Sequence, residues 1–326
     1  MYELISKNKR KSWIVFFAMG LLLLILGGLI GALLDSEPQS GRGMMTGIII
    51  ATAVWALQSL IAITSGAQIV LRGMNAKAID SHDDPVLYNV IEELSIASGL
   101  PLPKIYIIET PALNAFAAGT NPKKSLVAIT RGLRQQLTRQ EIQAVMAHEL
   151  SHIYNRDVLY MTFASVMLGT IVLISDLLIR SFLWGGGRKM NKGSGPAQLI
   201  IIVAVIVLAI LAPLFAQMFY FSLSRKREYL ADTMAVNFTR DPNSLADALA
   251  KISGDTKKFD PGKMAAAMCI SKPKLKSHKS SLFSTHPPIQ KRIAILRAMS
   301  MGTDYDSYCA AYAQVMGKND LPKSKK

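Results

Sequence analysis

The sequence predicts a membrane α-helical protein joined to an α+β domain, mainly α with a small sheet. Two observations lead there. Half of the 326 residues are hydrophobic and only 18% are charged, against about 25% in an average soluble chain. The apolar residues are also gathered into four long runs, separated by polar stretches that hold helix caps and short strand signals. The net charge of +15 suits a basic face against anionic lipid. Nucleic acid is not an expected partner, because no nucleic-acid motif is present and aromatics do not interleave with the bases. Cys269 and Cys309 have no ligand spacing, so neither a disulfide framework nor a cysteine metal site is expected.

The first run, Trp13–Leu34, carries no charge and is long enough for a bilayer core of about 30 Å. Lys7, Lys9, Arg10 and Lys11 precede it. It is longer than a signal-peptide core and no small-x-small site follows, so an uncleaved anchor is expected. The second run, Met44–Val70, follows a short connection holding Asp35, Glu37 and Arg42, and is followed by Arg72 and Lys77. The positive-inside rule puts both basic flanks in the cytoplasm and the connection outside. Residues 1–72 thus read as two transmembrane helices.

Residues 73–157 read as soluble. Asp83-Asp84-Pro85 opens a helix with the stripe Leu87, Val90, Ile91 and Leu94, which Gly99 and Pro101 stop. Lys104–Glu109, Asn114–Gly119 and Ser125–Thr130 are strand candidates. Thr138 and Glu141 have capping-box spacing at the start of a further helix.

The third and fourth runs, about Val158–Ile174 and Leu199–Phe221, place a hydrophobic helical hairpin over residues 158–221. Its connection holds Gly185–Gly187 with Arg188, Lys189 and Lys192. If both runs cross, those bases lie outside, against the positive-inside rule. Asp176 and Arg180 have ion-pair spacing. Residues 222–326 read as soluble again. A helix is expected over Ser222–Phe238, another from Asp241-Pro242 to Ser253-Gly254, a lysine-rich loop over Lys257–Lys279, and a last amphipathic helix after Pro287-Pro288.

The chemistry gathers at His148-Glu149-Leu150-Ser151-His152. Residues i and i+4 share a helix face, so two imidazoles there can hold one metal ion, with the intervening carboxylate acting on water. Zinc needs a third protein ligand and an open position. Val158 stands where a metzincin would have its third histidine, which excludes that form. A glutamate from another helix is the alternative, and Glu228, just beyond the fourth apolar run, is the best candidate. Asp232, one turn further, can orient a ligating histidine. The motif helix runs straight into the third run and the fourth returns into the Glu228 segment, so a hairpin would bring both to one membrane surface. Taken singly, charged positions such as Glu228 and Asp232 more often line a solvated helix face.

Four motifs in order carry a resemblance. His-Glu-Leu-Ser-His followed by Asn155-Arg156-Asp157, the run Glu228-Tyr229-Leu230-Ala231-Asp232, Thr285-His286-Pro287-Pro288, and Asn114-Ala115-Phe116-Ala117-Ala118-Gly119 resemble the HtpX family. These are bacterial membrane proteases related to the CAAX prenyl endopeptidases. The resemblance implies a Glu-zincin domain with one zinc ion per chain, Glu228 as third ligand and Asp232 behind it. It implies that His286 and Arg292 aid substrate binding or stabilise an oxyanion, and that Asn114, Ala115, Phe116 and Ala117 form a substrate-binding edge strand. It also implies a multi-pass protein of the bacterial inner membrane, its catalytic domain in the cytoplasm, acting on damaged or misfolded membrane proteins under stress.

The expected chemistry is zinc-assisted peptide hydrolysis with Glu149 as general base and acid. Two rival readings compete with it. An intramembrane protease would bury the motif in the bilayer, yet Arg139, Gln140, Glu141 and Gln143 precede it and Asn155, Arg156 and Asp157 follow it. A non-catalytic chaperone or scaffold with structural zinc would need a fourth Cys or His ligand, which the motifs do not offer. Nothing in the sequence bears on homo-oligomerisation.

Overall fold

The computed structural model describes residues 2–35, 40–184, 196–221, 225–257, 287–299, 302–319 and 321. The chain divides into two compact units. One comprises Met1–Arg10, Ser65–Thr162 and Leu223–Lys326, the other Lys11–Thr64 and Phe163–Ser222.

The second unit holds most of the apolar helices: α1 (Tyr2–Leu34), α2 (Arg42–Arg72), α6 (Asp157–Trp184) and α7 (Pro196–Phe221). Among the described residues, Trp13–Leu34, Arg42–Ile69, Asp157–Arg180 and Ile200–Met218 are long and apolar enough to cross a membrane. Glycines let α1 and α2 touch along their backbones. A Cβ at Gly47 would stand 2.1 Å from the Gly27 carbonyl oxygen, and one at Gly31 would stand 2.1 Å from that of Gly43. Small residues at such crossings are how membrane helices gain close packing when lipid offers no hydrophobic drive. Gln58 donates to Thr170 Oγ1 at 2.6 Å, linking α2 to α6. The expected Asp176–Arg180 pair is formed at 2.8 Å. The basic connection with Arg188, Lys189 and Lys192 lies outside the described residues.

The first unit is built on a four-stranded mixed sheet, β1 (Lys77–Ile79), β2 (Lys104–Ile108), β3 (Ala115–Ala118) and β4 (Leu126–Thr130), in the order β1-β2-β4-β3. β2 and β4 run parallel, while β1 and β3 flank them antiparallel. The strand period of two is visible in the core. Ile105, Ile107, Ala115, Ala117, Val127 and Ile129 face one buried cluster, and Ile108, Phe116, Ala118, Leu126 and Ala128 face another.

Helices cover the first face. α3 (Pro85–Ser98) starts where Asp84 accepts from the Leu87 N–H at 3.1 Å and ends at Gly99, whose φ of 67° suits a residue without Cβ. Arg134 of the short α4 (Arg131–Gln136) pairs with Asp84 at 2.6 Å. α5 (Arg139–Tyr154) opens with the full capping box. The Glu141 N–H donates to Thr138 Oγ1 at 3.3 Å and the Thr138 N–H to Glu141 Oε2 at 2.7 Å. α8 (Arg225–Thr239), α9 (Pro242–Gly254), α10 (Ile289–Ala298) and α11 (Tyr305–Met316) complete the unit.

Several expectations change. β1, α4 and α11 were not anticipated, so the helix after Pro287-Pro288 is followed by another. Asn114 and Gly119 bracket β3 and do not belong to it. The motif helix does not continue into the third apolar run: α5 ends at Tyr154, Arg156 takes φ 62°, and α6 begins at Asp157. A left-handed residue breaks a helix. Most of the lysine-rich stretch lies outside the described residues.

Candidate metal centre

α8 packs along α5 in the first unit, and the chemistry sits at their contact. His148, Glu149 and His152 of α5 and Glu228 and Asp232 of α8 are all buried. The two imidazole rings lie 5.0 Å apart at 87° to one another. Their Nε2 atoms turn toward one carboxylate: His148 Nε2 is 3.5 Å from Glu228 Oε2, and His152 Nε2 is 3.6 Å from Glu228 Oε1. Donor atoms of these three residues lie within 4.8 Å of one another.

The Nδ1 atoms face away, each toward its own aspartate. His148 Nδ1 is 3.0 Å from Asp232 Oδ1, and His152 Nδ1 is 3.3 Å from Asp157 Oδ2. Each aspartate in turn meets an arginine. Arg292 Nε and Nη2 donate to Asp232 at 2.8 and 2.6 Å, and Arg227 Nη1 lies 3.1 Å from Asp157 Oδ1.

Burial and the Arg292 guanidinium both oppose a charge on His148, but the bonds to Asp232 and Glu228 outweigh them and raise its pKa to about 9. Burial likewise opposes protonation of His152, but the contact with Asp157 and the charge of Glu228 raise its pKa. Burial alone would raise Asp232, but Arg292 and His148 hold it below the usual carboxylate range.

This donor set fits a divalent metal ion. Two ligands on a tetrahedral ion at about 2.0–2.1 Å stand roughly 3.4 Å apart, close to the 3.5 and 3.6 Å between the imidazole and carboxylate atoms.

Residues 81–300 match the family described as Peptidase family M48. The chain belongs to peptidase family M48. A protease HtpX homolog of Listeria monocytogenes serotype 4a (strain HCC23) is 39% identical over 309 residues, covering 92% of this chain and all of the relative. One of Dictyoglomus thermophilum is 42% identical over 302 residues, covering 91% of this chain and 94% of the relative. Among solved structures, Ste24p of S. mikatae aligns with 19% identity and a TM-score of 0.48, over 90% of this chain and 66% of that one. With its apolar helices, this M48 peptidase is a membrane metalloprotease.

The other expected residues fall as follows. Arg292 is 1% exposed and is held on Asp232, with Nη2 3.4 Å from His148 Nε2 and Nη1 3.4 Å from Glu228 Oε2. It therefore lies behind and beside the ligand set. His286 lies outside the described residues. Ala115, Phe116 and Ala117 form the sheet's edge strand beside α5, and Asn114 leads into it, its side-chain oxygen accepting from the Ala115 N–H at 3.0 Å. Sequence reasoning missed the placing of Asp157 and Arg227. The sequence marks Asp157 as a polar residue following the motif and gives Arg227 no role. The available signal was a charge at the mouth of an apolar helix, which calls for a partner.

Proposed function

We propose that this metalloprotease is a zinc-dependent endopeptidase, with one ion held by His148, His152 and Glu228. The observation that carries the reading is the convergence of two imidazole Nε2 atoms and one carboxylate, with Glu149 on the same buried helix segment. Zinc bound there supplies Lewis acidity and acidifies a water. Glu149 accepts the proton of the attacking water and delivers it to the leaving amine. Asp232 receives the His148 Nδ1–H and keeps that ring's Nε2 turned inward. Arg292 contributes fixed positive charge beside His148, and His286 remains the proposed oxyanion donor.

Among the described residues only β4 pairs with β3, and the other edge of β3 suits an extended peptide. β4 occupies only one side of Ala115–Ala118, and an edge strand can pair with substrate backbone. We further propose the bacterial inner membrane as the location and misfolded or damaged membrane proteins as the substrates, in quality control under stress. The relatives named protease HtpX homologs support the protease assignment, and the location and substrates rest on the family resemblance.

Purified full chain with Glu149→Gln tests the mechanism on an unfolded, casein-like substrate. Cleavage should be lost while bound zinc stays at the wild-type level, whereas Glu228→Ala should lose both. Full activity in Glu149→Gln would overturn the reading.

A further inference from the structure

We infer that Asp157, held by Arg227, is a positioning residue of the metal site, fixing the His152 ring so that its Nε2 faces the ion. This rests on the proposed ligand set.

Sequence spacing alone would not bring the two together. Five residues along a straight helix turn the chain by about 500°, so residue i+5 faces roughly 140° away from residue i. The chain therefore has to break between His152 and Asp157. It does so at Asn155-Arg156, where Arg156 adopts φ 62° and a new helix starts at Asp157. That turn returns the Asp157 carboxylate to within 3.3 Å of His152 Nδ1.

The simpler reading makes Asp157 an acidic first residue of α6, favoured there by the helix dipole. Such a residue faces solvent and can be replaced cheaply. Asp157 is instead 1% exposed, with Oδ2 3.3 Å from His152 Nδ1 and Oδ1 at ion-pair distance, 3.1 Å, from Arg227 Nη1. Arg227 is itself buried and stands immediately before Glu228. Adjacent residues on a helix point about 100° apart, so α8 sends Glu228 to the ligand set and Arg227 to the carboxylate behind it.

The arrangement also repeats. Arg292–Asp232–His148 and Arg227–Asp157–His152 are two chains of arginine, aspartate and imidazole, entering one site from opposite ends of the motif. In each, the aspartate accepts the Nδ1–H, which fixes the tautomer and leaves the Nε2 lone pair for a metal. The arginine pairs with the aspartate and holds it in place.

Zinc affinity of the purified full chain in detergent, measured by competition with a chelator and without substrate, tests this. Three variants are compared: His148→Ala, Asp157→Asn, and the double variant Asp157→Leu with Arg227→Met. The double variant removes the buried pair together, which folded proteins tolerate better than loss of one partner. Asp157→Asn keeps volume and decides the matter should the double variant not fold. Thermal melting reports folding in each. Zinc binding should weaken on the order of 10–100-fold in the double variant, and by less in Asp157→Asn, whose amide oxygen can still accept. The cobalt(II) spectrum of each folded variant should also shift, since ring orientation changes the ligand field. Wild-type affinity and an unchanged cobalt spectrum in folded Asp157 variants, with zinc binding lost in His148→Ala, would overturn the positioning role alone. Wild-type affinity in His148→Ala would overturn the ligand set, and this inference with it.

Discussion

Arg292 grips Asp232 at two points, Nε to Oδ2 at 2.8 Å and Nη2 to Oδ1 at 2.6 Å, with neither side chain more than 1% exposed. This pair joins α10 to α8 directly behind His148. Removing one partner of a buried ion pair leaves a charge with no water and no counter-ion, at a cost of about 3–5 kcal/mol. Arg292→Ala should therefore destabilise the first unit strongly. Arg292→Lys should recover only part of the loss, because an ammonium does not match the two-point geometry. Chemical denaturation followed by the fluorescence of a dye on the exposed core measures both. Equal stability of Arg292→Ala and wild type would refute this account.

Asp84 caps α3 and also binds Arg134 at 2.6 Å. Burial would raise its pKa, but Arg134 and the Leu87 N–H outweigh burial and lower it. A carboxylate depressed in the folded state stabilises the fold above its unfolded pKa of about 3.9. That contribution disappears as pH falls through the lower, folded value. Asp84→Asn keeps a competent cap and loses the charge. It should melt below wild type at neutral pH, and the gap should narrow in acid. A gap that stays constant from neutral pH to below pH 4 (about the unfolded value) would show that Asp84 titrates alike in both states.

The α1–α2 contact admits no side chain at Gly47, where a Cβ would lie 2.1 Å from the Gly27 carbonyl oxygen. Backbone cannot give way as a side-chain tip can. Gly47→Val should lower stability in detergent by about 1–3 kcal/mol or more, the usual cost of overpacking. Gly254 at the end of α9 has nothing within 4 Å of such a Cβ, so Gly254→Ala serves as a neutral control. Comparable melting of the two variants would argue against a backbone contact between the helices.

We propose that the N-terminus, the metal centre and the C-terminus face the cytoplasm, from the basic flanks of the first two apolar runs. A membrane-impermeant thiol reagent on intact cells should label Ser40→Cys, in the first connection, and spare Ser324→Cys. The opposite pattern would reverse the orientation. Lys192→Cys reports separately on whether the chain crosses between α6 and α7.

The sequence alone determined the features whose cause lies within a few residues. Four apolar runs announce their helices because length and lack of charge suffice. Asp84, Thr138 and Asp241 announce helix starts because each cap closes a bond two or three residues away. The spacing of His148 and His152 placed both on one helix face for the same reason. Glu228 could be singled out by elimination, by the order of the apolar runs and by the resemblance of its motif, none of which gives its geometry. That its two oxygens lie 3.5 and 3.6 Å from the two Nε2 atoms was decided by the packing of α8 on α5. β1 has only three residues and no alternation to read, and it is a strand because β2 offers it hydrogen-bond partners. Asp157 and Arg227 are 70 positions apart, and their meeting depends on the turn at Arg156. Contacts of that kind follow from how helices pack, a property of the whole fold that no short stretch of sequence encodes.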